Sequence, residues 1–229
     1  MTEPFDHIIE DRSLTHEDIK PLADAGKRVK LINCDMEAAD LSRLELRRWQ
    51  FERCRMTRAE FDGCALEEAG FRSCRAAFAS FVGTDLSQVV IDGGDFNNAV
   101  FRRASLGHAR LMRCKMTGAD FTEAKTLNLA LEEVMLSLAK LPKTSFRKAV
   151  LRKVDLSDAD LHTCDFRDAV FEDSSLRNAN LVDCRFENAD LRGADLGGIK
   201  LSDARRFKGA IISRAQAAEL VSQLGLRVA

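Results

Sequence analysis

The fold is decided by residues 159–191, which read ADLHTCDFRDAVFEDSSLRNANLVDCRFENADL. A large apolar residue recurs there at every fifth position, as at Leu161, Phe166, Phe171 and Leu191. The residue two positions earlier is mostly small, and the residue between the two is often Asp or Asn. The repeated unit is therefore Ala-Asp-Leu followed by two variable residues.

The same period extends over most of the chain. From Leu31 to Leu201 the series has 35 positions, and 33 of them hold a large apolar residue, with Ala76 and Thr126 as the exceptions. A period of five fits neither an α-helix, at about 3.6, nor a β-strand, at about 2. It fits a coil in which the small and large residues point inward while the other three turn a corner.

Aromatic residues indicate how many sides each coil has. They recur at intervals of 20 residues, which predicts four pentapeptide sides per coil, nearly nine coils and a rod of roughly 40 Å at the usual strand spacing. We expect the following residues to stack in inward columns: Phe61, Phe81, Phe101 and Phe121; Phe146, Phe166 and Phe186; Cys34, Cys54 and Cys74.

The N-terminal segment, 1–28, is out of phase with the repeats. Ile9, Leu14 and Ile19 are five apart but do not continue the series from Leu31, so an insertion is required. One interpretation is a partial first coil followed by a loop over 20–28, which holds Pro and Gly. The other is a short capping helix that starts at Thr15.

The repeats are predicted to fill 29–206, with one irregular stretch. Between 122 and 145 the consensus weakens although the apolar phase holds, so an outward loop of a multiple of five residues could lie there and contact a partner. After Arg206 the pattern ends.

The last segment, 207–229, predicts an amphipathic helix. Ser213 and Gln216 form a capping box. The helix could simply cover the end of the solenoid, or it could form a homodimer interface. The candidate interface residues share one apolar face and tail: Ala217, Leu220, Val221, Leu224, Leu226 and Val228.

Composition excludes several classes of protein. The chain has 229 residues, with 35 Lys and Arg against 36 Asp and Glu, so its formal net charge of -1 favours neither direct nucleic-acid binding nor an acidic tail. The opening MTEPFDHIIEDRS is acidic where a signal peptide would be apolar, and no apolar run is long enough for a membrane span. We expect a cytoplasmic protein that does not contact membranes.

No arrangement of residues predicts catalysis, a cofactor or a metal site. All seven Cys occupy the inward small position, where they replace Ala, and no C-x-x-C occurs. Gly93-Gly94-Asp95-Phe96 spells a diguanylate cyclase signature, but it falls on the repeat register without an α/β context. We expect no enzyme and no small-molecule substrate.

Charge is segregated along the chain. Residues 155–195 hold 11 acids against four Arg. Most outward charge in repeat proteins serves solubility, but carboxylates on a rod of duplex width could also occupy the site of DNA phosphates. The candidate acidic surface comprises Asp155, Asp158, Asp160, Asp165, Asp168, Asp173, Asp183, Asp190 and Asp195.

The A-[DN]-[LF]-x-x pattern, over about three quarters of the chain, resembles the pentapeptide repeat family. That resemblance implies an all-β fold, a right-handed quadrilateral (square) β-helix solenoid, here with a short C-terminal α-helix. The ending QAAELVSQLG, 216–225, resembles the branch that protects topoisomerases from quinolones, microcin and albicidin. In that branch the C-terminal helix dimerises two solenoids into one rod.

Two functions follow from the resemblance and the charge. The first is a DNA-mimicking protein that binds a type II topoisomerase, DNA gyrase, and modulates it or shields it from a poison. The second is an interaction scaffold with another protein partner, whose charges only maintain solubility.

Overall fold

The backbone of the repeats is a stack of coils held together by parallel pairing. The computed structural model describes residues 4–199, 204–222, 225 and 227. Successive strands pair at a separation of 20 residues, as Phe51 with Phe71 and Leu111 with Leu131. Isolated bridges repeat the same offset on the other sides, as Asp40 with Glu60. The fold is a parallel β-solenoid of about nine turns, which confirms the predicted four-sided class.

The regular elements are short because each side is only one pentapeptide long. One sheet holds nine strands in chain order and a second holds two. The elements are β1 His7–Glu10, α1 His16–Asp24, β2 Val29–Ile32, β3 Gln50–Glu52, β4 Gly70–Arg75, β5 Val90–Asp95, β6 Arg110–Met112, β7 Ala130–Glu132, β8 Val150–Arg152, β9 Val170–Glu172, β10 Ser174–Ser175, β11 Ala194–Asp195, a 3₁₀ turn Ala204–Phe207 and α2 Arg214–Ser222.

We number the sides after the pentapeptides of the first complete coil. Side 1 begins as 29–33, side 2 as 34–38, side 3 as 39–43 and side 4 as 44–48, and each recurs every 20 residues. The last residue of each pentapeptide is the corner residue, and from Asn33 to Asn188 every corner residue adopts a positive φ, for example 60° at Arg48 and 61° at Asn188. The Asp before the large residue accepts the amide of the residue two positions on, as at Asp85 and Ser87, 3.0 Å apart.

The core is a set of stacked aromatic and aliphatic columns. Neighbouring phenylalanine rings within a column lie 4.7–5.1 Å apart with nearly parallel planes, which matches the predicted coil spacing. The two Phe columns and Cys34, Cys54 and Cys74 are buried. The second column continues beyond Phe186 to Phe207, 4.9 Å away, because one extra residue shifts the phase in the last coil.

The N-terminal segment contains both of the predicted features, a partial first coil and a short helix. Strand β1 pairs with β2, with Ile9 opposite Leu31, so a partial first coil exists. Helix α1 then begins after Thr15, whose backbone amide and hydroxyl both donate to Asp18. The predicted loop over 20–28 is therefore wrong in its first half, where Lys20–Asp24 is helical. The insertion is accommodated by a helix because Ile19 and Ala23 bury against the core.

Residues 122–145 form no outward loop. Strand β7 lies within this stretch, and the bridge from Asp120 to Lys140 spans it at the usual offset. Thr126 occupies its inward position and is buried. The weakened consensus changes what this coil exposes and leaves its backbone regular. Among the described residues, no helix has the length and apolarity needed to cross a membrane.

Candidate functional site

The nine predicted acids form a belt around the last coils. Each position in the repeat places its carboxylate on a given side, so the nine are divided among all four. Side 1 holds Asp173 and Asp190; side 2 holds Asp155, Asp158 and Asp195; side 3 holds Asp160 and Asp183; side 4 holds Asp165 and Asp168. A partner in contact with one or two sides would therefore meet only some of them.

Five of these acids are ion-paired to arginine. The pairs are Asp165–Arg167 at 2.5 Å, Asp190–Arg192 at 2.6 Å, Asp195–Arg177 at 2.9 Å, Asp183–Arg206 at 3.0 Å and Asp168–Arg147 at 3.6 Å. Hydrogen bonds from Arg167 hold the pKa of Asp165 below its ordinary value, and Arg192 does the same for Asp190. Asp160 contacts His162 at 2.9 Å. Pairing reduces the negative field of the belt without reversing its sign.

Three acids remain without a basic partner within the described part of the chain: Asp155, Asp158 and Asp173. Asp155 accepts the Ser157 amide at 3.0 Å, so one oxygen is already engaged. Asp158 and Asp173 are exposed corner residues with φ of 57° and 49°. These two carboxylates are the most available for an external positive group.

Sequence reasoning missed the arginines that neutralise the belt from other coils. Arg147 lies 21 residues before Asp168, and Arg206 lies 23 residues after Asp183. The sequence spacing could have predicted these pairs. Residues 18–23 apart lie in adjacent coils of a 20-residue solenoid, close enough for their side chains to meet.

Helix α2 is docked on the end of the solenoid. The capping box forms, with the Ser213 amide donating to Gln216 Oε1 at 2.7 Å and the Gln216 amide donating to Ser213 Oγ at 3.2 Å. Gln216 Nε2 also donates to the carbonyl oxygens of Leu191 and Ala194, each at 2.7 Å. The helix therefore satisfies backbone groups of the last coil.

Docking of α2 on the solenoid buries one of the candidate dimer residues and leaves others partly exposed. Leu220 is buried and lines an apolar cavity with Leu191 and Phe207, so it serves the cap. Ala217 and Val221 are half-buried and lie beside it. Leu224, Leu226 and Val228 lie outside the described residues. Ala217 and Val221 are therefore the described candidate residues that the cap does not fully bury.

Six of the seven inward cysteines, all but Cys114, donate a hydrogen bond from Sγ to a backbone carbonyl oxygen. Cys64, Cys164 and Cys184 each donate from Sγ to the carbonyl oxygen of the large residue one coil earlier, at 2.9–3.0 Å. All seven are free thiols. Within the described part of the chain, no three His, Cys, Asp or Glu side chains are grouped as metal ligands.

The Gly93-Gly94-Asp95-Phe96 signature belongs to the corner of the fourth coil. Gly94 has a φ of 103°, and a Cβ there would lie 2.3 Å from the Cys74 carbonyl oxygen. Glycine is needed because strands β4 and β5 continue around this corner and approach closely.

Comparison with known proteins gives the following matches. A family model described as "Pentapeptide repeat region" matches 27–99, and one described as "Pentapeptide repeats (8 copies)" matches 94–125, 131–168 and 169–205. No curated protein sequence matches the chain at a significant level.

Among solved structures, full-length QnrB1, a plasmid-mediated fluoroquinolone resistance protein, is similar with a TM-score of 0.69 at 17% identity, covering 96% of this chain and 98% of that one. A trypsin-treated variant of QnrB1 has the same TM-score at 18% identity, with coverage of 97% and 99%. HetL, a pentapeptide repeat protein from the cyanobacterium Nostoc involved in heterocyst differentiation regulation, has a TM-score of 0.42 at 20% identity, with coverage of 82% and 86%. At these identities the two QnrB1 matches establish the fold.

Proposed function

Since the chain belongs to the pentapeptide repeat family, whose models match most of its length, we propose that it is a non-enzymatic DNA mimic that binds the type II topoisomerase DNA gyrase. It would modulate the enzyme or protect it from inhibitors, in the cytoplasm, where its target acts on the chromosome. The observation that carries this proposal is the correspondence with QnrB1, named as a fluoroquinolone resistance protein, over nearly the whole of both chains.

The physical basis of the mimicry is a rod with carboxylates at one end. About nine coils with ring spacings of 4.7–5.1 Å give a rod of roughly 45 Å. A groove that holds duplex DNA is basic, so a negatively charged rod would be attracted to it and compete with phosphates. The available acids Asp158 and Asp173 would make the strongest new ion pairs, since they have no arginine to exchange.

A homodimer would place the acidic belts of two chains near each other. Ala217 and Val221 on α2 support such an interface, with Leu224, Leu226 and Val228 as further candidates. In a dimer joined at α2, the most negative coils lie at the centre of a doubled rod. The assembly would need no cofactor, would bind no nucleic acid directly and would remain off the membrane.

The experiment is a DNA gyrase supercoiling assay with the purified protein titrated in, with and without a quinolone. The proposal expects inhibition or rescue from the drug at micromolar concentration. A chain that ends at Arg206 should lose the effect. Because that truncation also removes Phe207 from its column, Val221→Lys, which leaves the Gln216 bonds in place, tests the dimer separately.

A matched pair of variants tests the acidic contact. Asp158→Asn with Asp173→Asn removes two charges, and Asn is well suited to both corners. Glu123→Gln, at an exposed corner with φ of 61° in a middle coil, is the control. Equal activity of the double variant and the control would refute the DNA-mimicry contact.

The second candidate function is a protein-interaction scaffold. The observation that favours it is the distribution of the nine acids over four sides, with five of them paired to arginine. Such acids keep a repeat surface soluble, and three of the five pairs also join neighbouring coils. A chain that leaves gyrase activity unchanged with and without drug would favour the scaffold.

A further inference from the structure

Two large apolar side chains stand at corners where every other residue is small, polar or charged. Of all the corner positions from Asn33 to Gly198, only Phe78 and Leu138 are large and apolar. Both are exposed, at 53% and 61%, and both have a positive φ, 61° and 60°. This conformation favours Gly and Asn, so a bulky residue there adds backbone strain.

The two residues share one corner of the rod. Phe78, Asn98, Gly118 and Leu138 follow one another at 20-residue spacing where side 2 meets side 3. Three coils separate Phe78 from Leu138, or about 15 Å at the spacing of strands. Between them Asn98 has a short side chain and Gly118 has none, so the surface of the corner is recessed there. Met135, 45% exposed, adds apolar surface beside Leu138.

Lysine and arginine residues that form no ion pair within the described part of the chain surround this corner, which we call the Phe78–Leu138 corner. Six basic residues on sides 2 and 3 form no ion pair with a carboxylate of the described chain: Arg75, Arg102, Arg103, Lys115, Lys140 and Lys143. Basic residues on the other two sides are commonly paired, as Arg152 is with Glu132 and Glu172.

Fewer acids than bases lie on sides 2 and 3 between Phe78 and Leu138: Asp95, Asp120 and Glu123. The acidic belt begins on the same two sides one coil beyond Leu138, with Asp155, Asp158 and Asp160. Asp95 accepts the amide of Asn97 at 3.0 Å, and Asp120 accepts the amide of Thr122 at 2.9 Å. At the N-terminal end of this corner, the guanidinium of Arg58 lies over the Phe78 ring, 5.5 Å from the ring centroid. The corner thus combines two apolar anchors with an excess of positive charge.

We propose that the Phe78–Leu138 corner binds an acidic amphipathic helix of a protein partner. Residues eleven apart on a helix lie on one face and are about 16 Å apart along its axis, which is close to the separation of the two anchors. Acidic residues flanking that face would meet the unpaired lysines and arginines. This contact borders the acidic belt, which begins one coil beyond Leu138, and it does not depend on the proposed gyrase binding.

Two other occupants fit less well. Phosphates of a nucleic acid would use the basic residues but gain little from Leu138 and Met135. Among its described residues, a second copy offers no suitable helix: α2 has Glu219 as its one acid, and α1 already buries Ile19 and Ala23 in its own chain.

The test uses a fluorescent synthetic helical peptide with leucines on one face over three turns and glutamates elsewhere, measured by anisotropy with the full chain. We expect saturable binding with a Kd on the order of 10 µM. Leu138→Asn should weaken it about ten-fold while the melting temperature is unchanged or higher, since Asn suits a positive φ. Leu127→Asn, at an exposed leucine on side 4, is the control and should change affinity by less than about two-fold.

A charge test completes the design. Lys140→Glu should weaken binding, whereas Lys148→Glu, on the corner between sides 4 and 1, should not. No saturable binding, or an equal loss in Leu138→Asn and Leu127→Asn, would overturn the proposal. So would a duplex DNA probe that binds as tightly and ignores Leu138→Asn, or self-association that Leu138→Asn abolishes.

Discussion

At the inward small position, most side chains that carry a donor bond a carbonyl oxygen of the preceding coil. Thr84 Oγ1 donates to the Phe61 carbonyl oxygen at 2.6 Å, and Ser174 Oγ donates to that of Leu151 at 3.0 Å. The thiols repeat this bond with weaker donors, as Cys74 does to Phe51 at 3.3 Å. Cysteine therefore fits because it is small, apolar and able to give this carbonyl a second hydrogen bond.

The thiols should be unreactive in the folded protein. Burial raises the pKa of Cys64 and Cys114 from the usual 9.0 to about 12. A folded-state pKa above the unfolded value contributes stability below pH about 9, and that contribution is lost as the pH rises toward about 12. We expect Ellman's reagent at pH 8 to label these thiols only after unfolding. Rapid labelling of the native chain would contradict this.

The aromatic columns should be sensitive to truncation. Phe101 is fully buried between Phe81, at 5.0 Å, and Phe121, at 4.8 Å. Phe101→Ala removes both stacked contacts and leaves a cavity, so we expect a loss of ~3–5 kcal/mol in the free energy of unfolding. Urea denaturation measures it, with exposed Phe78→Asn as the control. A loss below about 1 kcal/mol would mean that the columns are not rigidly packed.

At the scale of elements, α2 covers the C-terminal coil through a few specific bonds. Gln216 bonds both the helix start and two carbonyl groups of the solenoid, and Leu220 buries against the same coil. This explains why a helix of nine residues, too short to be stable alone, persists at the end of the chain.

Removal of the Gln216 side-chain bonds should open the end of the rod locally. Gln216→Ala leaves the Leu191 and Ala194 carbonyl groups without these donors, at a cost of about 1–3 kcal/mol. We expect faster hydrogen exchange of amides near 189–199 and little change near Phe101. The control is Ser222→Ala, which loses only a bond within the helix. Unchanged exchange in both variants would show that α2 is not the cap.

How much of each element the sequence could predict depends on the range of the signal. The five-residue period and the Ser213–Gln216 box are local patterns, and both gave the correct structure. Phe207 was missed because one inserted residue moves it out of phase. The pairing of Asp183 with Arg206 depends on side-chain reach across coils, which periodicity alone does not specify. Periodicity therefore predicts all nine acids of the belt as contact residues and does not distinguish those that arginines neutralise.

At the scale of the whole molecule, stability is distributed between neighbouring coils. Many ion pairs join adjacent coils, such as Arg48–Glu68 and Lys153–Glu133, both 20 residues apart. Each coil contacts only the coil above and the coil below. The rod should thus tolerate the loss of one complete coil but not a change of phase.

Deletion of residues 101–120 tests this expectation. It removes one complete coil and brings Phe81 into register with Phe121, so we expect a folded rod with a melting temperature within about 10 °C of the full chain. The matched deletion of 101–118 leaves two extra residues, turns inward residues outward and should unfold the chain or halve its cooperativity. Circular dichroism during heating compares them. Equal behaviour of the two deletions would contradict the columnar account.

The proposed function is tested most directly by competition for the DNA site of gyrase. Labelled duplex DNA is bound to gyrase, and the unlabelled full chain is titrated in while anisotropy is followed. The account predicts displacement of the DNA at micromolar concentration, with about five-fold more protein needed when Asp158 and Asp173 are both replaced by Asn. A complex in which gyrase holds the DNA and this protein at the same time would contradict it.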